Sequence, residues 1–181
     1  AKCGVITATL ATGNAATANG LTTDATDDIT ITLNDVNDTS IAATVLTSIS
    51  GKTAGTVTVS NAIIITGSPA EVTAALVTEA TLVVATSALP TISGTATVAE
   101  LNAIAAKCGV ITATLEAGNA ATANGLTTAA TDDITMTLND TAGSTVVATV
   151  LSSIGGKTAS TVTVSNAIII TGSPAEVTAA L

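Results

Sequence analysis

The sequence predicts a repeat β/α fold, a solenoid of stacked strand–turn–helix units with a parallel β ladder along one side. Three observations lead there. First, residues 1–76 and 106–181 read as one phrase written twice, from AKCGVITATL to SPAEVTAAL, aligned without gaps at roughly four-fifths identity. Second, each copy divides into units of roughly 19 to 35 residues in which a Thr-, Ile- and Val-rich run precedes a capped apolar helix pattern. Third, hydrophobic residues make up 47% of the chain while Phe, Tyr and Trp are absent. A thick globular core relies on aromatic area, whereas thin stacked coils fill with aliphatic side chains. A string of β-sandwich domains is the alternative, because a period near 105 residues suits an immunoglobulin-like module. The helix caps count against it.

The elements follow in chain order. Val5 to Leu10 forms a strand, and a short Ala-rich turn ends near Gly20. A second strand runs Ile29-Thr30-Ile31-Thr32-Leu33, with a turn from Asn34 to Asp38. The helix after it carries Ile41, Val45 and Ile49 on one face and stops before Gly51. Ile63 to Gly67 is a strand leading to Ser68-Pro69-Ala70-Glu71, where Ser68 caps, Pro69 takes the first helical position and Glu71 closes a capping box. Val72, Leu76 and Ala80 point inward. Thr91 to Gly94 is a further strand, and Thr97 with Glu100 caps a helix whose apolar face is Val98, Leu101, Ile104, Ala105 and Cys108. Gly109 stands where a left-handed helix stop is expected. Residues 77–105 join the copies and continue the same solenoid. The pattern begins and ends in mid-phrase with no secretion leader at Ala1, which predicts a window from a longer polypeptide.

Differences between the copies concentrate in residues 36–42 and their duplicates 141–147, which predicts an exposed turn and helix start. Such a turn is a candidate recognition surface for a glycan or other surface ligand.

Several function classes are excluded by composition. The net charge is −9 with four basic residues, Lys2, Lys52, Lys107 and Lys157, which opposes binding to nucleic-acid phosphates. Without aromatics there is no platform for unpaired bases. No apolar run is long enough to span a bilayer. Catalysis lacks His and Arg, and a Ser without an adjacent base is only an alcohol. Ser48 or Ser50 near Lys52 is the one conceivable pair, and Lys52 beside Gly51 is better read as complementing a helix C-terminus.

Oxygen-rich turns make calcium the sharpest cofactor expectation. Asp27 and Asp28 precede a strand, Asp35 follows it, and all three recur as Asp132, Asp133 and Asp140. Carboxylates grouped in loops suit Ca²⁺. Equally, Asp and Asn satisfy turn backbones, and Asp24, Asn37 and Asp38 become Ala129, Ala142 and Gly143 in the second copy. Cys3 and Cys108 share one repeat position, and four stacked units of about 4.8 Å would hold them roughly 19 Å apart, beyond disulfide reach. Two N-x-T triplets, at Asn37 and Asn139, fall at non-equivalent positions and read as chance. Thr7/Thr9, Thr30/Thr32 and Thr56/Thr58 repeat a Thr-x-Thr pattern that, on a flat sheet face, would suit ice binding as well as ordinary outward positions.

The strings TISGTATVAELNAI, ITLNDVNDTSIAATVLTSISGKTAGTVTVSNAIIITGSPAEVTAAL and VITATL resemble the repeats of very large cell-surface proteins of cyanobacteria and some proteobacteria. That resemblance implies an extracellular location and a role in adhesion, surface layers or fibres. Self-association into a filament or array is the partner it implies.

Overall fold

The computed structural model describes residues 4–78 and 83–181. These residues form an α/β fold with twelve strands and seven helices, and every strand pairing among them is parallel. Antiparallel sandwiches therefore have no place in the described residues.

The chain is built from two kinds of unit. A short unit has one strand and one short helix: β1 (Thr7–Thr9) with α1 (Ala15–Asn19), and β8 (Thr112–Leu115) with α5 (Ala120–Ala123). A long unit has two strands and a longer helix. In the first copy these are β2 (Asp28–Leu33), β3 (Ser40–Ala42) and α2 (Ala43–Ser50), followed by β4 (Val57–Val59), β5 (Ile64–Gly67) and α3 (Pro69–Leu76). The joining segment supplies β6 (Val83–Val84), β7 (Leu89–Ala96) and α4 (Val98–Ala105). The second copy repeats the pattern as β9 (Asp133–Leu138), β10 (Thr145–Val147), α6 (Ala148–Gly155), β11 (Val162–Val164), β12 (Ile169–Thr171) and α7 (Pro174–Ala180).

The strands divide among three sheets, ordered β1-β2-β4-β6, β3-β5-β7-β8-β9-β11 and β10-β12, where the sequence predicted one ladder. In the first copy the second strands β3 and β5 build a sheet apart from the first strands β1, β2, β4 and β6, and β7 carries that sheet on to β8, β9 and β11. The six-stranded sheet begins in the first copy, passes through the joining segment and ends in the second. β7 makes this transfer. Its first half pairs with β5 at Leu89–Ile92, its second half reaches β8, and the register shifts between Thr91 and Thr95. Gly94 sits in that shift at φ 77°, a left-handed conformation that glycine adopts without a Cβ clash.

Within each strand the pleat alternates. Ile29, Ile31 and Leu33 of β2 are buried, and the residues between them face outward. The buried residues join Leu46, Ile49, Val72, Leu101 and Ile104 from the helices in one continuous apolar core. Both predicted capping boxes form. Ser68 Oγ accepts from the Glu71 N–H while the Glu71 carboxylate accepts from the Ser68 N–H at 2.8 Å, and Thr97 with Glu100 does the same.

Three predicted details are corrected. Ile41 lies in β3, paired with Ile65, because Ser40-Ile41-Ala42 alternates as a strand; the inward face of α2 is Ala43, Leu46 and Ile49. Gly109 is not a left-handed stop, since α4 is capped by Ala106 at φ −68° and Gly109 itself has no positive φ. Its need for glycine is a close approach, as a Cβ there would stand 3.1 Å from the Ala88 carbonyl oxygen. The Ala-rich turn before Gly20 is helix α1, capped by the Asn14 side chain. Ala80 and Cys3 lie outside the described residues.

Candidate functional site

The six predicted carboxylates are the natural starting point, and the fold separates them. Asp28 opens β2 and Asp35 lies two residues past its end, so the five strand steps from Asp28 to Leu33 alone set them roughly 16 Å apart at 3.3 Å per step. Asp27 is buried, and both its oxygens serve the backbone: Oδ1 accepts from the Ile6 N–H at 2.8 Å and Oδ2 from the Asp24 N–H at 3.0 Å. Asp132 repeats the arrangement with Ile111 N–H at 2.9 Å and Ala129 N–H at 2.7 Å. Asp35 and Asp140 each accept, at 2.9 Å, from the first N–H of the short helix one unit away, at Ala15 and Ala120. Those N–H groups have no partner inside their own helices. Asp28 and Asp133 are exposed at strand starts. Among the described residues no three His, Cys, Asp or Glu side chains gather as a metal-binding group.

Two further side chains reinforce the same junction, and sequence reasoning missed one of them. Thr53 is buried, and its Oγ1 accepts from the Ile29 N–H at 2.7 Å and the Gly55 N–H at 2.8 Å while facing the carbonyls of Asp27 and Ile29. Thr158 holds the duplicate position. A Thr amid polar loop residues carries no pattern that marks it as buried; its recurrence in both copies is the one available clue. Lys52 was expected to complement the end of its own helix. Instead its ammonium reaches one unit away and donates to the Leu21 carbonyl at 2.9 Å, and Lys157 does so to Leu126. Ser50 Oγ donates to the Thr47 carbonyl, so Ser50 and Lys52 are each engaged separately with backbone.

The divergent turn keeps its shape while its residues change. Asp38 at φ 63° and Gly143 at φ 81° occupy the same left-handed position. Their N–H groups donate to the carbonyls of Ala62 and Ala167 at 2.9 and 2.8 Å. Only the first copy adds a bond from the Ala62 N–H to the Asn37 side chain, and there Val36, at 77% exposure, stands where the second copy has Thr141.

Outward threonines form rows across the parallel strands. Thr9 pairs with Thr30, Thr32 with Thr58, Thr66 with Thr91 and Thr91 with Thr112, while Thr95, Thr114 and Thr135 continue a second row. Thr56 stands just before β4. Cys108 is half-buried and its Sγ donates to the Ile104 carbonyl at 3.0 Å. Burial, with a smaller contribution from the negative Asp132, pushes its thiol up to about 12.

The chain matches no family model, no curated protein and no solved structure. No helix among the described residues is long and apolar enough to cross a membrane. What recurs is a junction in which carboxylate, hydroxyl and ammonium groups bind the backbone of the neighbouring unit, and such a junction fastens units together.

Proposed function

We propose that the chain is a non-catalytic structural protein of the bacterial cell exterior, a β/α solenoid whose stacked units build a fibre or surface layer. The observation that carries this reading is the sheet running β3-β5-β7-β8-β9-β11, which pairs strands of both copies through the joining segment. A sheet that crosses from copy to copy makes the repeat a stacking element, and parallel strand edges at either end can template more of the same. The buried carboxylates fit this reading as clips between units, so calcium is not required for assembly. Negative-stain electron microscopy at high concentration, with and without a chelator, tests it. Uniform filaments that survive chelation are expected. Dispersed compact particles under both conditions would overturn the reading.

A second reading, a surface-binding adhesin module, is favoured by Val36 at the tip of the divergent turn. Exchanging residues 36–42 for the 141–147 sequence would then change attachment to a glycan-coated surface without changing the fold. Unchanged attachment removes it.

A further inference from the structure

Among the asparagines of the chain, Asn19 and Asn124 are the two followed by glycine. Such a pair is prone to a reaction of its own, because a residue without a Cβ lets its nitrogen approach the preceding side-chain carbon. The glycine nitrogen loses its proton to base and bonds to Cγ, the Cγ–Nδ2 bond breaks, and ammonia leaves. Water then opens the succinimide at either carbonyl, giving aspartate or isoaspartate.

The fold opposes these steps at Asn124. Asn124 caps α5 at φ −65° and ψ −14°, and its N–H donates to the Ala120 carbonyl at 2.9 Å. The Gly125 N–H, whose nitrogen would attack, donates to the Thr122 carbonyl at 3.0 Å. Beyond the glycine, the Asn102 amide on α4 donates to the Gly125 carbonyl at 3.0 Å and accepts from the Thr127 N–H at 2.8 Å. The peptide units on both sides of Gly125 are thereby fixed. Asn124 Oδ1 is itself buried, and no donor among the described residues reaches it. Negative charge would gather on this oxygen as the nitrogen adds to Cγ, and a shielded oxygen without a donor resists that charge. Asn19 has the same orphan oxygen, and the Gly20 N–H donates to the Thr17 carbonyl at 3.1 Å. A buried acceptor left without a partner costs stability. Among the described residues the asparagines that carry this cost are the two that precede glycine.

We propose that Asn124–Gly125 is a conditional deamidation site, held intact by the stacked fold with Asn102 as its latch and released when α5 leaves the stack. Opening frees the glycine nitrogen and brings water to Oδ1. The product carries a carboxylate where the fold offers a shielded position with no donor, and isoaspartate adds a carbon to the backbone, so α5 does not regain its place. A passing opening is thus turned into a permanent mark. The site needs only the fold described above and goes beyond the structural-protein reading, whose failure would leave it standing.

The test incubates the full chain at mildly alkaline pH, folded and in guanidinium chloride, and maps aspartate and isoaspartate at residues 19 and 124 by mass spectrometry of peptides. Conversion at 124 is expected to be at least roughly tenfold slower in the folded chain, since it waits on local opening. Equal rates overturn the proposal. Asn102→Ala should speed conversion at 124 in the folded chain by about threefold, through loss of the bonds to Gly125 and Thr127, while the rate at Asn19 holds. An unchanged rate at 124 removes the latch. Acceleration at both sites together means that this variant has unfolded, and the comparison of folded with denatured unaltered chain then decides. Asn124→Asp should speed amide exchange in 120–124. Native exchange there would overturn the permanent mark.

Discussion

Two regions of each copy have met opposite fates since the sequence was duplicated. The junction around Asp27, Lys52 and Thr53 recurs as Asp132, Lys157 and Thr158 with nearly the same hydrogen bonds, while the turn at 36–42 has changed at every position. Both regions hold neighbouring units together, so contact with a neighbour does not explain the difference. The kind of bond does. In the junction a side chain is one partner in each bond, so identity and geometry cannot be separated. In the turn the retained bonds run backbone to backbone, from residue 38 to Ala62 and from residue 143 to Ala167. Any residue that tolerates positive φ supports them, and Asp and Gly both do.

The largest effect should come from breaking the junction. Asp132→Ala leaves the Ile111 and Ala129 N–H groups without their acceptor, and Ile111 is fully buried. A loss of about 3 kcal/mol in chemical denaturation is expected. Asp27→Ala removes the same two bonds, but Ile6 is open enough for water to replace one partner. That variant should lose only about 1–2 kcal/mol. Equal losses would mean that burial by the 83–105 unit does not set the strength of the clip.

Substitutions in the turn should be far milder and depend on backbone alone. Gly143→Ala places a Cβ at φ 81° with no side-chain or backbone atom within 4 Å, so the expected cost is the left-handed penalty, about 1 kcal/mol. Asp38→Gly relieves that penalty but loosens the unfolded chain, and thermal unfolding should move by the equivalent of about 0.5 kcal/mol or less. A loss from Asp38→Gly as large as that from Asp132→Ala would show that the turn, too, depends on side-chain identity.

The same distinction separates what was legible in the sequence from what was not. Capped helices were legible because Ser68-Pro69-x-Glu71 and Thr97-x-x-Glu100 act within a few residues. The strand of Ile29 to Leu33 was legible from its pleat. Ile41 was misassigned because three residues of β3 carry too short a pattern to distinguish strand from helix start, and pairing with Ile65 decides it. The second sheet stayed hidden for the same reason. Asp27, Asp35 and their duplicates were picked out as functional oxygens, but each has a partner that stands 20 or 21 residues away and one unit across the stack. Local reading could suggest turns or calcium, whereas the clips needed three dimensions.

The smallest effect reaches the chemistry of Cys108, whose thiol lies close enough to the Asp132 clip to feel its charge. Burial is the main cause of its raised value, and Asp132 adds to it, because ionising the thiol would place a second negative charge beside the carboxylate. The folded value of about 12 lies above the ordinary 9.0. Stability from the neutral thiol is therefore complete below pH 9 and is lost as pH rises through about 12. Alkylation of native chain at pH 8.5, with Cys108 and Cys3 resolved by peptide mapping, should leave Cys108 largely unmodified until the chain is unfolded. Asp132→Asn removes the charge and should bring a modest increase in the Cys108 rate, because burial remains. Gly143→Ala, in the turn, should leave that rate unchanged. An Asp132→Asn rate equal to that of the unfolded chain would mean that the carboxylate, rather than burial, protects the thiol, and that the clip closes this part of the core.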